Sequence, residues 1–282
     1  MSTNPAERSL RDGDPEAALR LLQEQVRARP ADAKLRIFLF QLLAILGHWE
    51  RAATSLDVAS SLDVSALAMA QTYRQAILCE LFRQQVFQGR KSPMVLGQPD
   101  PWLGLLIESL LRAGRGDSAA ATALRDQALE QAPESSGTID GVAFSWIADA
   151  DSRLGPVLEA IVNGRYYWVP FARITRAVID APTDLRDLVW MPAHLAFDNG
   201  GETVALIPAR YVGSESSDDG QIALGRKTAW QEVEPGIFHG LGQRLLATDG
   251  GEYGVMDIRE IVVGSMSGSR PAPTSASAST AT

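Results

Sequence analysis

Cysteine is almost missing from this sequence. Cys79 is the only one among 282 residues, so no intrachain disulfide can form and nothing points to an oxidising compartment. It falls in an apolar helical run beside Ala76, Ile77 and Leu78, where a buried structural thiol is expected. Histidine is scarce as well: His48, His194 and His239 lie far apart and none belongs to a metal or acid–base motif. No window approaches 18 uninterrupted apolar residues, which excludes a helical membrane span. The opening MSTNPAERSLRDGD has no apolar core of a secretory signal, so a cytoplasmic protein is expected. The motifs G-x-x-x-x-G-K-[ST], G-x-S-x-G and H-E-x-x-H are absent. His239-Gly240-Leu241-Gly242 contains G-x-G but lacks the third glycine and the strand–helix setting of a dinucleotide loop. Clustered cations are lacking too, and a net charge of −8 argues against nucleic-acid binding.

That negative charge is placed unevenly. Residues 1–135 carry 15 basic and 16 acidic side chains, whereas residues 136–282 carry 11 and 18, leaving −7 on the second half. A partner steered by charge to that half would be basic.

The first half contains a repeat. Gly13-Asp14-Pro15-Glu16-Ala17-Ala18 aligns with Gly47-His48-Trp49-Glu50-Arg51-Ala52, the glycines 34 residues apart, and Gly116-Asp117-Ser118-Ala119-Ala120-Ala121 supplies a third copy. The spacing leaves room for one degenerate unit between the second and third. This layout resembles the tetratricopeptide repeat. Glycine closes one helix, a small alanine lets the next approach closely, and Pro30 or Pro133 stops it. Ala18, Leu19, Leu22 and Val26 recur at helical spacing as an apolar stripe. Ser65 to Gln88 reads as a long helix with Leu67, Ala70, Tyr73, Ile77 and Leu81 on one face. Pro99-Asp100-Pro101 marks a break before the helix that begins at Trp102, and Trp49 is expected to pack. Units of this kind stack, and the concave side of such arrays commonly holds a peptide or helix.

From Glu134 onward the helical period stops. Val142 to Ala148 alternates large apolar residues as a half-buried strand does. Val157–Val162 and Arg165–Phe171 flank Asn163-Gly164, which predicts a hairpin on a type I′ turn. Further strands are expected at Val189–Phe197, Thr203–Tyr211, Gln221–Trp230 and Gly254–Val263, and a helical turn at Asp184–Leu188. Strands at this spacing predict a compact antiparallel sheet or barrel. Residues 265–282, SMSGSRPAPTSASASTAT, have the composition of a disordered tail.

The block Trp146-Ile147-Ala148-Asp149-Ala150-Asp151-Ser152-Arg153-Leu154-Gly155-Pro156-Val157-Leu158-Glu159 resembles the hallmark segment of the ImpE family, whose members are also called SciE-type or TagJ proteins. Asn163 to Phe171, with Tyr166, Tyr167, Trp168 and Pro170, is similar to a second family block. Shorter matches follow in order: Asp184 to Trp190, carrying Arg186, Asp187 and Trp190; then Pro208-Ala209-Arg210-Tyr211; then Gly242-Gln243-Arg244. The resemblance implies a non-catalytic cytoplasmic adaptor of bacterial type VI secretion. Its implied partners are a helix of the small sheath subunit (TssB-like) and the ring-forming disassembly ATPase (ClpV-like), with no cofactor.

The full expectation is an α+β fold. A tetratricopeptide-like helical domain spans residues 1–135, and an antiparallel β-rich, barrel-like domain spans residues 136–264. The sequence leaves two alternatives: a divalent-metal-dependent enzyme using Asp149, Asp151 and Glu159, and a generic repeat-type co-chaperone. The favoured reading of the carboxylates is structural, with Asp151 and Arg153 pairing to shape the Gly155-Pro156 turn. Tyr166 and Trp168 should share one strand face and Tyr167 the other, for core or interdomain packing.

Overall fold

The computed structural model describes residues 4–98 and 100–264. Pro99 and the expected tail lie outside the described residues. Seven helices come first: α1 (Pro5–Arg11), α2 (Pro15–Ala28), α3 (Ala33–Ile45), α4 (Trp49–Leu62), α5 (Leu67–Phe87), α6 (Pro101–Gly114) and α7 (Ser118–Gln131). Their ends follow local chemistry. Asp14 accepts a hydrogen bond from the Ala17 amide at 2.7 Å, Asp32 caps α3 from 3.1 Å, and Pro5, Pro15 and Pro101 occupy first-turn positions where no amide is needed. Gly13, Gly47 and Gly116 join α1 to α2, α3 to α4 and α6 to α7, each at positive φ. The three aligned copies are thus three helical hairpins, and α5 stands alone between the second and third.

The sheet-rich half begins with a short strand donated by the helical half. Strand β1 (Met94–Val95) runs parallel to β6, which follows later in the chain. Strands β2 (Gly137–Ile139), β3 (Val142–Phe144), β4 (Ile147–Asp149), β5 (Val157–Val162), β6 (Arg165–Pro170), β7 (Ile174–Ile179), β8 (Trp190–Phe197) and β9 (Glu202–Pro208) come next. A single-turn helix α8 (Gly220–Ala223) precedes β10 (Thr228–Glu234), β11 (Ile237–Gly242), β12 (Leu245–Thr248), β13 (Gly251–Gly254) and β14 (Glu260–Val263). Nine strands form one sheet in the order β1-β6-β5-β9-β8-β7-β14-β2-β3. Strands β13, β12 and β4 form a second sheet, and β10 with β11 forms a separate hairpin.

The expected barrel is not formed. The large sheet ends on β1 and β3, which do not pair with each other. It buries its two faces in another way. Val157, Ile161, Tyr166, Trp168 and Trp190 join the helices in one core, while Leu158, Ala160, Val162, Val169 and Ile207 join Ile147 and Leu246 of the small sheet in a second. With helices on one face and strands on the other, no apolar face is left for closure to hide. Strand β5 is therefore buried along its whole length, which accounts for the continuous run VLEAIV.

The Asn163-Gly164 hairpin is present. Val162 pairs with Arg165, and Asn163 and Gly164 sit at φ of 50° and 70°. The turn at Asp184–Leu188 is present as well, closed by a reciprocal cap between Asp184 and Asp187. Other boundaries moved. The run Val142 to Ala148 is split between β3 and β4, which enter different sheets. The segment Gln221–Trp230 opens with α8, because Asp219 accepts from the Gln221 amide at 2.9 Å and caps a helix there. Strands β1, β2, β7, β11, β12 and, but for Gly254, β13 fall outside the expected runs, and β14 is shorter than the run expected for it.

Helix α5 departs most from expectation. It buries Ala70, Tyr73, Ala76, Ile77, Glu80 and Arg83, while Leu67 and Leu81 are exposed at 42% and 37%. Leu78 is more exposed still, at 58%. The face turned inward carries a glutamate and an arginine, and leucines face out. Replacing the fully buried Leu22 by alanine is expected to cost about 3 kcal/mol, whereas Leu78→Ala should stay within about 0.5 kcal/mol. Urea denaturation of the two variants measures the contrast.

Candidate functional site

The inward charges of α5 meet a cluster of buried charges from the sheet. Arg83 grips Glu159 of β5 with two parallel hydrogen bonds, Nε to Oε1 at 2.6 Å and Nη2 to Oε2 at 2.9 Å. It also donates to the Arg210 carbonyl at 2.9 Å and lies 3.3 Å from Glu80. Glu80 in turn accepts from the Trp190 indole at 3.1 Å. On its other side Glu159 contacts Arg244 and accepts a hydrogen bond from the Tyr166 hydroxyl, which itself accepts from the Trp168 indole at 2.8 Å. Tyr166 and Trp168 share the helix-facing side of β6, as alternation required.

Arg244 reaches across to Asp149, with Nε 3.4 Å from Oδ2. It meets both carboxylates as a close charge without an aligned hydrogen bond. Asp149 accepts from the Asp151 amide at 2.9 Å and from the Tyr211 hydroxyl at 3.1 Å. Asp151 holds Arg153 through Nε at 2.8 Å and Nη2 at 2.5 Å, and accepts from the Gly240 amide at 2.8 Å. Arg153 stacks over Phe87, 4.8 Å from the ring centre. This pair frames the Gly155-Pro156 turn. Gly155 has φ of +59°, and Leu129 of α7 packs where a side chain would sit.

Arg210 has a separate task. It lies between the helical half and α8 and donates to the Ile45 carbonyl at 2.9 Å and to the Ala223 carbonyl. The first contact satisfies an orphan acceptor at the C-terminus of α3, where a cation also opposes the helix dipole.

Among these residues, four carboxylates (Glu80, Asp149, Asp151, Glu159) meet the guanidinium groups of Arg83, Arg153 and Arg244, and Arg210 feels the charge of Glu80 while bonding only main-chain carbonyls. Opposite charges thus offset one another, as a buried charged network requires. Burial still costs each member. It pushes Asp149 up to about 6, a rise the nearby Arg244 opposes, and pulls Arg244 and Arg210 down to about 10. Burial would raise Asp151 too, but the hydrogen bonds and charge of Arg153 outweigh it and hold that carboxyl below its ordinary value.

The structure brings together most of the candidate residues: Asp149, Asp151, Arg153, Gly155, Glu159, Tyr166, Trp168, Trp190, Arg210, Tyr211 and Arg244. Others stand apart. Trp146 is 38% exposed at the start of β4, Pro156 flanks the turn, Tyr167 faces the second core, and Pro170 closes β6. Arg186 pairs with Asp184 at 2.5 Å and stacks 5.0 Å from Tyr73, while Asp187 caps its own turn. Trp49 packs, its ring 6.1 Å from Trp190. Cys79 is buried with its thiol pushed up to about 12 by desolvation, next to the Gly164 carbonyl. His48, His194 and His239 lie in three separate places, and burial lowers His239 to about 4.

Sequence reasoning missed Glu80 and Arg83. Their signal was present, because Ala70, Tyr73, Ala76, Ile77, Glu80 and Arg83 follow one another at three or four residues, so the apolar face runs into two charges. As for the metal-cluster alternative, Asp149, Asp151 and Glu159 each engage an arginine, and no group of three or more His, Cys, Asp or Glu side chains among the described residues is placed to hold a metal ion.

Two outcomes test the junction. Arg83→Met strands Glu159 beside a single unaligned cation and should cost about 3–5 kcal/mol, with part recovered in the Arg83→Met/Glu159→Gln double variant. The raised pKa of Asp149 means that the folded state binds its proton more tightly than the unfolded chain. Native stability should therefore fall relative to Asp149→Asn as pH rises from about 4 to about 6, by on the order of 3 kcal/mol, and level off above. Denaturant unfolding of both proteins across that window measures the difference.

Comparison with known proteins places these blocks. The family model described as ImpE protein matches residues 141–262, from β3 to β14. A curated relative from Pseudomonas aeruginosa, the type VI secretion system accessory component TagJ, is 52% identical over 256 residues, covering 91% of this chain and 90% of the relative. The X-ray crystal structure of protein VPA1032 from Vibrio parahaemolyticus matches with a TM-score of 0.84 at 28% identity, covering 92% of this chain and 97% of that one. By its match to that family model and by its identity to a TagJ protein over nearly its whole length, this chain belongs to the ImpE family.

Proposed function

We propose that this chain is an accessory component of a type VI secretion system that works through protein–protein contacts rather than catalysis. The observation that carries the reading is the 52% identity to a TagJ protein across nine-tenths of both chains. The finer proposal is an adaptor that takes a helix of the small sheath subunit and links it to the disassembly ATPase. Two modules would serve it, a tetratricopeptide-like helical one up to about residue 135 and the ImpE-type one after it.

One groove suits such a helix. Between α1, α3 and the turn at 182–188 lies a cleft of about 660 Å³ floored by Leu10, Leu35, Phe38, Leu185 and Leu188. Glu7, Arg11, Lys34 and Asp184 line it with both signs of charge. An apolar floor with a mixed charged rim fits an amphipathic helix that buries anchors at i, i+3 or i+4 and i+7. The aligned chemistry of the buried junction supports a non-catalytic reading, since its carboxylates are engaged by arginines.

Titration of the purified chain with a peptide of the sheath subunit's N-terminal helix should give saturable binding in the micromolar range, weakened at least tenfold by Phe38→Asp. No binding at high micromolar concentration would overturn the adaptor reading. Addition of divalent cations should leave the melting temperature unchanged, and a rise of several degrees would revive the metal-enzyme alternative.

A further inference from the structure

Strand β14 ends beside an open groove. The groove holds about 360 Å³ between the end of α7 and the start of β4, and Leu129, Ala132, Pro133, Trp146, Ala148 and Pro156 line it. Trp146 and Leu129 are exposed there at 38% and 39%. Of the three carboxylates in the lining, Asp149 and Asp151 are held by Arg244 and Arg153, whereas Glu134 makes no ion pair among the described residues.

The chain is aimed at this groove as it leaves the sheet. Strand β14 runs antiparallel to β2 with Val263 opposite Gly137, and the Gly264 amide donates to the Ser136 carbonyl at 2.9 Å. In that register each further residue is carried back along Ser136, Ser135 and Glu134, towards Pro133. Strand β3 pairs with β2 from the other side, Phe144 opposite Gly137, and so delivers Trp146 to the same end of the sheet. On the path lies Ser135, 5% exposed, whose hydroxyl has no hydrogen-bond partner among the described residues. A buried donor of this kind normally has one.

We propose that the groove seats the segment Arg270-Pro271-Ala272-Pro273 of the same chain. Three properties of the segment select it. Arg270 is the only charged side chain in residues 265–282, and Glu134 is the carboxylate the groove leaves without a cation. Pro271 and Pro273 favour the extended polyproline conformation, which docks in aromatic-lined grooves at little cost in ordering. That conformation pairs none of its own carbonyls, so one is free to accept from Ser135. Reach is ample. Six residues separate Gly264 from Arg270 and span up to about 20 Å, whereas Ser136 and Glu134 are at most about 7 Å apart. A tether this short gives an effective concentration in the millimolar range, so a seat that is weak for the free segment is filled by the attached one. Seated, the segment keeps Trp146 from other proteins until it is displaced. The inference stands independently of the secretion reading.

With fluorotryptophan in the full chain, fluorine NMR gives six tryptophan signals, and Trp146→Phe identifies one of them. Ending the chain at Gly264 should shift the Trp146 signal while the other five stay in place, which also checks the fold. The double variant Pro271→Gly/Pro273→Gly should move the signal at least half-way to its truncated position. Arg270→Glu should act in the same direction, and adding Glu134→Arg should bring it back. A free peptide of residues 265–275, added to the truncated chain, should restore the original position only at millimolar concentration. A Trp146 signal that truncation leaves in place would overturn the proposal. So would one that moves on truncation but ignores either the proline or the charge substitutions, because the groove would then not read this segment. A full-chain signal that changes on tenfold dilution would make the occupant the segment of a second copy, and would overturn seating within one chain.

Discussion

Glu159 is the charge on which the arrangement turns. It sits in a central strand of the large sheet, wholly removed from water, and is held by Arg83 from the helices, by Arg244 from the far end of the sheet-rich half and by the Tyr166 hydroxyl. A carboxylate so placed is tolerable only while its partners are in position. The helical half therefore has one acceptable seat on the sheet. Trp49 and Tyr73 of the helical half also pack against Trp190 of the sheet, but apolar surfaces slide. The bidentate Arg83–Glu159 contact fixes the register.

The remaining charges repeat that logic at smaller scale. Arg153 and Asp151 brace the turn that carries the chain from β4 into β5, and Gly240 ties the β10–β11 hairpin to the same carboxylate. Arg210 binds the end of α3 to the segment after β9. The links through Gly240 and Arg210 join parts of the chain far apart in sequence. A scaffold whose halves hold a fixed orientation presents its grooves in a defined relation to one another.

Much of this was legible beforehand. The hairpin at Asn163-Gly164 was readable because positive φ at two successive residues has few solutions, and the helical hairpins around Gly13, Gly47 and Gly116 because a repeat declares itself by comparison with itself. The open sheet was not readable, since closure depends on what covers each face, and the covering strands β4 and β12 come from opposite ends of the sheet-rich half. Nor was the inner face of α5. Periodicity assigns leucine to the inside, and here Leu67 and Leu81 yield that place to Glu80 and Arg83, whose partner lies 76 residues further on. The motif residues were mostly gathered into one place, but their pairing was fixed by arginines that no local spacing reveals.

The order of synthesis gives the inward charges of α5 one more role. The ribosome finishes α5 well before it makes Glu159, and Arg244 comes later still. During that interval the face destined for burial, with Ala70, Tyr73, Ala76 and Ile77, stands in water without its cover. Glu80 and Arg83, one turn apart on that face, can pair with each other while they wait and keep it wetted. The same two side chains that lock the finished protein thus interrupt what would otherwise be a wholly apolar face on its unfinished helix.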